Sequence, residues 1–401
     1  MPADLMEVIF ACFVIAYCVL VICFHYYWLQ IPVFHRHSDF SVKPCHRRLS
    51  VIIPVRNEAR HIVSLLEDLQ QQQLSEGTAF PPDCWEVIVV DDDSEDETVA
   101  LVEKFQSQAT YSLQLLRCEY CDSSQSPKKR ALWKGIQAAR GDTIVTTDGD
   151  CRVGPYWLST WMQFFQIHQP ALVAGGVTFY QESSWFQRLQ TLEFASLIGI
   201  GAASIQRKMP ITCNGANLAF SREAFKAVNG YEGHWHIPSG DDEFLLHAMF
   251  RQFPNRIYFI KSSEVVVKTQ AKRRVTAFFQ QRKRWAGKWK MHRAGYVAII
   301  ATLVFVYHLT FLSIGGYIIL GGAHWYWVIC LIFLKVGLEY AFLSSVLKFL
   351  KKDLNPLNFM GLQLLYSAYF VLIGIAASMS GYTWKKRKYT NHDGPGIRRD
   401  G

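Results

Sequence analysis

Short apolar runs alternate with polar, helix-spaced stretches through the middle of the chain. "RLSVIIP" carries a β-rich run, Leu49 to Ile53, that Pro54 is expected to end, and Glu58 to Leu69 then shows helical spacing. "WEVIVV", Trp85 to Val90, runs into "DDDSEDET" and a helical pattern through Val99, Leu101, Val102 and Phe105. "SLQLLR" precedes a basic turn and "RALWKGIQAAR", and "DTIVTT" ends in "DGD". Strand alternating with helix predicts an α/β domain with a largely parallel sheet and crossover helices. Polar residues gather where the strands end, the edge that carries the ligand in open α/β sheets.

The ends of the chain read differently. Val8 to Phe24 is 17 residues without a charge, followed by Tyr26, Tyr27 and Trp28. That pattern predicts a transmembrane helix with an interfacial aromatic belt. A cleaved signal peptide is the rival reading, but Asp4 and Glu7 stand where a basic n-region belongs. Three more apolar stretches follow, at about Tyr296–Leu320, Trp325–Phe349 and Phe359–Met379, each long enough to cross a bilayer. The expected organisation is an anchor over 1–30, one extramembrane domain over 49–293, about three crossings over 294–382, and a basic, structureless tail over 383–401.

Composition fits that division. The 401 residues are 50% hydrophobic and only 19% charged, an excess that the terminal segments explain. Basic "HRHSDFSVKPCHRR" after the first helix, with acids before it, predicts a cytoplasmic domain on an integral protein of the plasma (inner) membrane. Three C-terminal crossings would then put "WKKRKY" outside, against the positive-inside tendency, unless one segment stops short. Much of the net +9 comes from the stretch Lys268 to Arg293, which has ten Lys or Arg, no acid and interleaved aromatics. This suits an amphipathic helix on a membrane surface, and its junction with an apolar segment argues against nucleic acid as a partner. "CEYC", Cys118 and Cys121, is a lone C-x-x-C pair and does not make a zinc site.

Candidate chemistry lies in the polar runs. Acids in "DDDSEDET" can cap the following helix, but three consecutive aspartates exceed what a cap needs, and Asp92 can accept a hydrogen bond from a nucleobase edge. Asp148 and Asp150 flank Gly149; on an extended segment both carboxylates would face one cation, Mg2+ or Mn2+, and the alternative is a solvated Asp-Gly turn. Lys128, Lys129 and Arg130 precede a helical pattern, an arrangement suited to phosphate. Asn214, Gly215 and Asn217 suggest close backbone approach to a bulky group, or core packing. Trp235 stands between two histidines on a Gly-rich loop and could stack on a sugar face. Asp241, Asp242 and Glu243 open an apolar helical pattern; a helix N-terminus, a cation or proton chemistry could hold them together. In "FFQQRKRW", Gln281, Arg284 and Trp285 share one helical face.

Taken in order, these stretches resemble the membrane-bound branch of glycosyltransferase family 2, which includes cellulose, hyaluronan, chitin and poly-N-acetylglucosamine synthases and lipid-directed enzymes. The likeness covers about Leu49 to Trp285, and five motifs in sequence carry it. It implies a GT-A-like, Rossmann-type nucleotide-diphospho-sugar transferase fold. Pro54 and Glu58 fall in the opening nucleotide-binding strand and turn. Asp92 falls in a "VDDGSxDxT"-like signature that implies uracil contact. Lys128 falls near the diphosphate, and Asp148 and Asp150 in a D-x-D metal motif. Asp242 is implied as the catalytic base, with Asp241 beside it. Gln281, Arg282, Arg284 and Trp285 fill a Q-(Q/R)-x-R-W segment at the diphosphate and acceptor. Asp93 stands where the signature has Gly, so a different turn is expected. The donor implied is a UDP-sugar and the acceptor a glycan or lipid; no motif names a partner subunit. Two alternatives accompany this reading: single-sugar transfer to a membrane lipid, as in ceramide glucosyltransferase-like enzymes, and a catalytically silent scaffold or translocation subunit.

Overall fold

In the computed structural model, which describes residues 3–37, 48–118, 126–237, 239–287, 295–319, 325–379, 382–384 and 387–389, the first apolar run is the strand Leu49–Val55. It runs through Pro54 rather than ending there. The register explains why. The carbonyls of Val55 and Ile52 accept from Asp92 on one side and Thr147 on the other. Peptide groups alternate sides along a strand, so the position of Pro54, which has no N–H, faces the neighbour Thr143–Thr146. Pairing with that neighbour has already stopped at Ile52.

The chain divides into two compact units. One comprises residues 31–181, 204–271 and 383–401; the other 1–30, 182–203 and 272–382. The first is built on a seven-stranded sheet with the spatial order Ile257–Ile260, Leu172–Gly175, Leu218–Ser221, Thr143–Thr146, Leu49–Val55, Trp85–Asp91, Ser112–Arg117. The last four pair in parallel, while Leu218–Ser221 runs antiparallel to both its neighbours. The central strands are buried on both faces along almost their whole length, as expected of a sheet layered with helices. Among these helices are Ile62–Gln70, Thr98–Gln106 and Pro127–Ala138. Because Leu218–Ser221 is reversed, its N-terminal end meets the C-terminal end of Thr143–Thr146, at the pair Thr146 and Leu218. The loop before Leu218 therefore lies on the same edge as the ends of the parallel strands.

The second unit holds the apolar helices. Among the described residues, four are long and apolar enough to cross a membrane: Glu7–Gln30, Gly295–Ile314, Tyr326–Phe349 and Pro356–Met379. None of the three C-terminal helices falls short in length. The first packs on the second and third through Phe10, Val14, Cys18, Tyr307, Ile314 and Val328, with Tyr17 stacked on Tyr307 at 3.9 Å between centroids. Outward faces carry Phe333, Leu357, Leu364 and Met379, exposed as lipid-facing residues are. One partly buried acid gathers several polar groups: Glu339 takes the Tyr17 hydroxyl at 2.6 Å, the Gln363 amide at 2.6 Å and the Lys335 ammonium at 3.0 Å.

This unit also claims two segments expected to belong to a single domain over 49–293. One is most of the helix Trp185–Gln206, buried nearly all round; its Gly199 lies against Val346 and Phe342 so closely that a Cβ would meet them at 2.6 and 2.8 Å. The other is the helix Val275–Ala286. The tail also departs from expectation. Tyr382–Trp384 and Arg387–Tyr389 form a two-stranded sheet where a structureless segment is expected, and 390–401 lie outside the described residues. Cys118 is a buried free thiol, and Cys121 lies outside the described residues.

Candidate active site

The edge formed by the ends of the parallel strands is organised by paired loops. After Leu49–Val55, the loop 56–59 is stitched to 92–98. The Arg56 guanidinium, buried, donates to the carbonyls of Asp92 at 2.6 Å and Asp93 at 2.7 Å. The Asn57 and Glu58 amides donate to Ser94 Oγ at 2.9 Å and Thr98 Oγ1 at 2.8 Å. Most of the acids of "DDDSEDET" are thus structural here, and Asp96 accepts from the Thr98 amide at the helix start. Asp93 adopts φ 61, the left-handed conformation, so the turn keeps the shape a glycine would give it. The different turn expected from this residue is not found. Asp92 is 4% exposed, and its carboxylate takes Arg130 at 3.0 Å, so it faces that guanidinium rather than the open edge.

The basic triplet lies inside the first turn of a helix rather than ahead of it, because Pro127 occupies the first helical position. Its three side chains diverge. Lys129 is fully buried, and its ammonium donates to the carbonyls of His234 and Ile237 at 2.8 Å and of Ser239 at 3.3 Å. This clamp holds the loop before Asp241 onto the helix. Trp235 on that loop packs edge-to-face on Trp133 and Tyr231, at 5.5 and 5.8 Å between centroids, and remains partly exposed. Lys129→Met keeps the stem but leaves carbonyls unpaired. It is expected to lower stability by about 2–4 kcal/mol, read as a shift in urea midpoint.

Lys128 points to the site. Its ammonium lies 2.9 Å from Asp148 Oδ1 and 3.6 Å from Asp241 Oδ2. Burial alone would lower its pKa, but Asp148, Asp241 and Asp242 together raise it above the ordinary lysine value, so the group stays cationic. Asp148 and Asp150 are not on an extended strand, as expected, but in a turn. The strand ends at Thr146 and the Cys151 amide returns to the Asp148 carbonyl at 3.1 Å. Both carboxylates are half-buried. Gly149 between them is required by close approach, since a Cβ would lie 2.9 Å from Val55 and 3.1 Å from Glu58. Glu58 thereby lies against the D-G-D turn, while Pro54 is one residue inside the same strand end.

Opposite stands the helix Asp241–Gln252, with Asp241, Asp242 and Glu243 all in its first turn. A helix N-terminus is the first answer to their adjacency: it stabilises negative charge, and Gly240 in the left-handed conformation at φ 81 turns the chain into it. Asp242 accepts the Gly215 amide on Oδ2 at 2.9 Å and the Glu243 amide on Oδ1 at 2.8 Å. Glu243 takes the Thr212 hydroxyl at 2.6 Å. Gly215 is needed where it stands, with a hypothetical Cβ 3.2 Å from Asp241 Oδ2. Asn214 caps the short turn through the Ala216 amide at 2.9 Å. Asn217 turns inward instead: wholly buried, it takes the Trp157 indole N–H at 3.1 Å and donates to the carbonyls of Gly176 and Val265. All its side-chain polar atoms serve the core, so of the two expectations for this stretch Asn217 meets the core-packing one.

No group of three or more His, Cys, Asp or Glu arranged to hold a metal occurs among the described residues. Asp148 and Asp150 are the hard oxygen donors in reach of this edge that could hold a divalent cation together with a phosphate-bearing ligand.

Gln281, Arg282, Arg284 and Trp285 belong to the other unit, on the helix Val275–Ala286. Gln281, Arg284 and Trp285 are partly exposed, and Trp285 stacks on Phe194 at 5.8 Å. Arg282 is 3% exposed and committed to Glu193, so burial corrects its expected place as a diphosphate ligand.

Comparison with known proteins agrees with this architecture. Residues 50–228 match the model for Glycosyl transferase family 2, and residues 143–340 match that for Glycosyl transferase family group 2. Glycosyltransferase AglE of Haloferax volcanii is 32% identical over 131 residues, 33% of this chain and 40% of that protein. Dodecaprenyl-phosphate galacturonate synthase of Rhizobium johnstonii is 30% identical over 107 residues, 27% of this chain and 29% of its own length. The matched stretches thus span well under half of these relatives. Among solved structures, the mannosyltransferase PcManGT of Pyrobaculum calidifontis, determined with GDP-Man and Mn2+, superposes with a TM-score of 0.54. It is 17% identical, and the match covers 94% of this chain and 96% of that one. The fold is therefore GT-A-like, and the family matches support a family 2 glycosyltransferase.

Proposed function

We propose that this chain is a membrane-bound, inverting glycosyltransferase that moves a sugar from a nucleoside-diphosphate sugar, UDP-linked, to a glycan or lipid-linked acceptor. The observation that carries the reading is the convergence of Lys128, Asp148, Asp241 and Asp242 on one sheet edge. A fixed cation there faces carboxylates of two kinds, Asp148 beyond a strand end and Asp241 and Asp242 at a helix N-terminus.

In this reading Asp242 takes the proton from the acceptor hydroxyl. The acceptor oxygen bonds to the anomeric carbon as the bond from that carbon to the diphosphate oxygen breaks. The electron pair leaves with the nucleoside diphosphate, and Lys128 offsets the charge that develops on it. No covalent intermediate is needed, so the anomeric configuration inverts. Asp148 and Asp150 would hold Mg2+ or Mn2+, which when bound neutralises charge on the diphosphate; the Mn2+ of the mannosyltransferase complex supports this. The family likeness implies diphosphate and acceptor roles for Gln281, Arg284 and Trp285, and a cytoplasmic domain. Proton NMR of the product should show a β linkage from an α-linked donor, and a retained α configuration would overturn the single displacement.

A second reading, single-sugar transfer to a membrane lipid, is favoured by the short set of four candidate spans and by the lipid phosphate in the name of the Rhizobium relative. Product mass separates the two: one added sugar per lipid, or a ladder.

A further inference from the structure

Within the Gln281–Trp285 stretch, Arg282 is buried where Gln281, Arg284 and Trp285 are partly exposed, and its partners are unusually complete. Its guanidinium grips Glu193 with two bonds, Nε to Oε1 at 2.8 Å and Nη2 to Oε2 at 2.5 Å. The Tyr369 hydroxyl donates to the same Oε1 at 3.2 Å. Nη1 donates to the Gln281 side-chain carbonyl at 2.8 Å. The guanidinium also lies 4.3 Å from the Trp285 ring centroid and 4.6 Å from that of Phe278. Glu193 is 5% exposed, on the helix Trp185–Gln206, and Tyr369 is on the helix Pro356–Met379. Three helices of one unit therefore meet at one cation.

Burying an ion pair is a poor route to stability. Desolvation consumes much of the attraction, and apolar side chains of similar volume serve as well or better. What apolar side chains could not supply is the direction this guanidinium gives to two others, a hydrogen bond to Gln281 and a flat cationic face for Trp285. We infer that Arg282, gripped by Glu193 and Tyr369, is a positioning residue that fixes Gln281 and Trp285 for the transfer reaction and does not itself bind the donor diphosphate. The inference rests on the functional reading above, in which those two residues act at the diphosphate and the acceptor.

The test uses the full chain in detergent with lipid added back, comparing wild type, Arg282→Lys, Glu193→Gln and the double variant Glu193→Met with Arg282→Met. Each variant should lose about 10- to 100-fold in kcat, the scale of a misplaced group, and any loss of UDP affinity should be the same in Arg282→Lys and Glu193→Gln, since both act through Gln281. The double variant should keep the wild-type melting temperature, so its loss of rate is not a loss of fold. Wild-type kcat in the double variant would overturn the inference. So would weakened UDP binding in Arg282→Lys with Glu193→Gln unaffected, the pattern of a direct diphosphate ligand. Amide exchange over residues 275–286 needs no turnover and should quicken in both single variants; unchanged exchange would also overturn it. A wild-type protein that turns over no nucleotide sugar would sink the transferase reading, while the exchange result would still decide the positioning role.

Discussion

Asp242→Asn should abolish transfer, lowering kcat by about 100- to 10,000-fold, the range assigned to a general base. Asparagine preserves size and its one oxygen can still accept one of the two amides, Gly215 or Glu243, that the carboxylate takes on separate oxygens, so most of the first turn of Asp241–Gln252 should remain. What vanishes is the anionic oxygen able to take a proton. Nucleotide affinity should change little, because Lys128 is held by Asp148 and Asp241 and keeps both partners. Steady-state kinetics beside UDP titration checks this. A variant that retained a tenth or more of wild-type turnover would remove Asp242 from the role of base.

The second large effect is at the D-G-D turn. Chelation of divalent cations should stop turnover, and Mn2+ or Mg2+ should restore it. Asp148→Asn should raise the metal concentration for half-maximal activity by about 10- to 100-fold, as expected when one of few ligands is weakened. The geometry adds a distinguishing feature. Asp148 now pairs with the Lys128 ammonium at 2.9 Å, so a cation entering the turn competes with the lysine for this carboxylate. Lys128→Met should therefore bind the metal more readily without a donor, while transferring poorly. A metal titration followed by Mn2+ electron paramagnetic resonance measures this directly. Equal affinities in wild type and Lys128→Met would show that the ion pair does not compete.

Much of the architecture was legible because it rests on local pattern. The four parallel strands at the sheet's centre and one edge are apolar runs punctuated by acids or glycine, and each expected run became one. The candidate membrane helices were equally plain from length and apolarity. The acids at Asp148 and Asp242 stood out because adjacent carboxylates need compensation. Other features depend on distant partners and left no local trace. The strand Leu218–Ser221 is four residues, too short for periodicity to identify, and its reversal depends on sheet neighbours. Lys129 looks like one of three interchangeable basic residues, yet its carbonyl partners lie more than a hundred positions away. Arg56 gives no signal beyond being a charge in a loop, and only the fold shows it tying two loops together. The helix Trp185–Gln206 was missed because its Gln, Thr and Glu interrupt the apolar run; those polar residues are paired inside the helical unit, Glu193 with Arg282 and Gln190 with the Lys272 backbone. At the D-G-D stretch strand alternation was the wrong geometry, because the strand ends at Thr146 and the two aspartates stand in a turn.

The most direct test of the central claim is nucleotide release by the purified full chain, with membrane lipids and Mn2+ or Mg2+, across a panel of UDP- and GDP-sugars. The account predicts metal-dependent release of UDP from one sugar donor, lost on chelation and in Asp242→Asn. Failure to release nucleotide from any donor in the presence of lipid acceptors, or release that persists in Asp242→Asn, would contradict it.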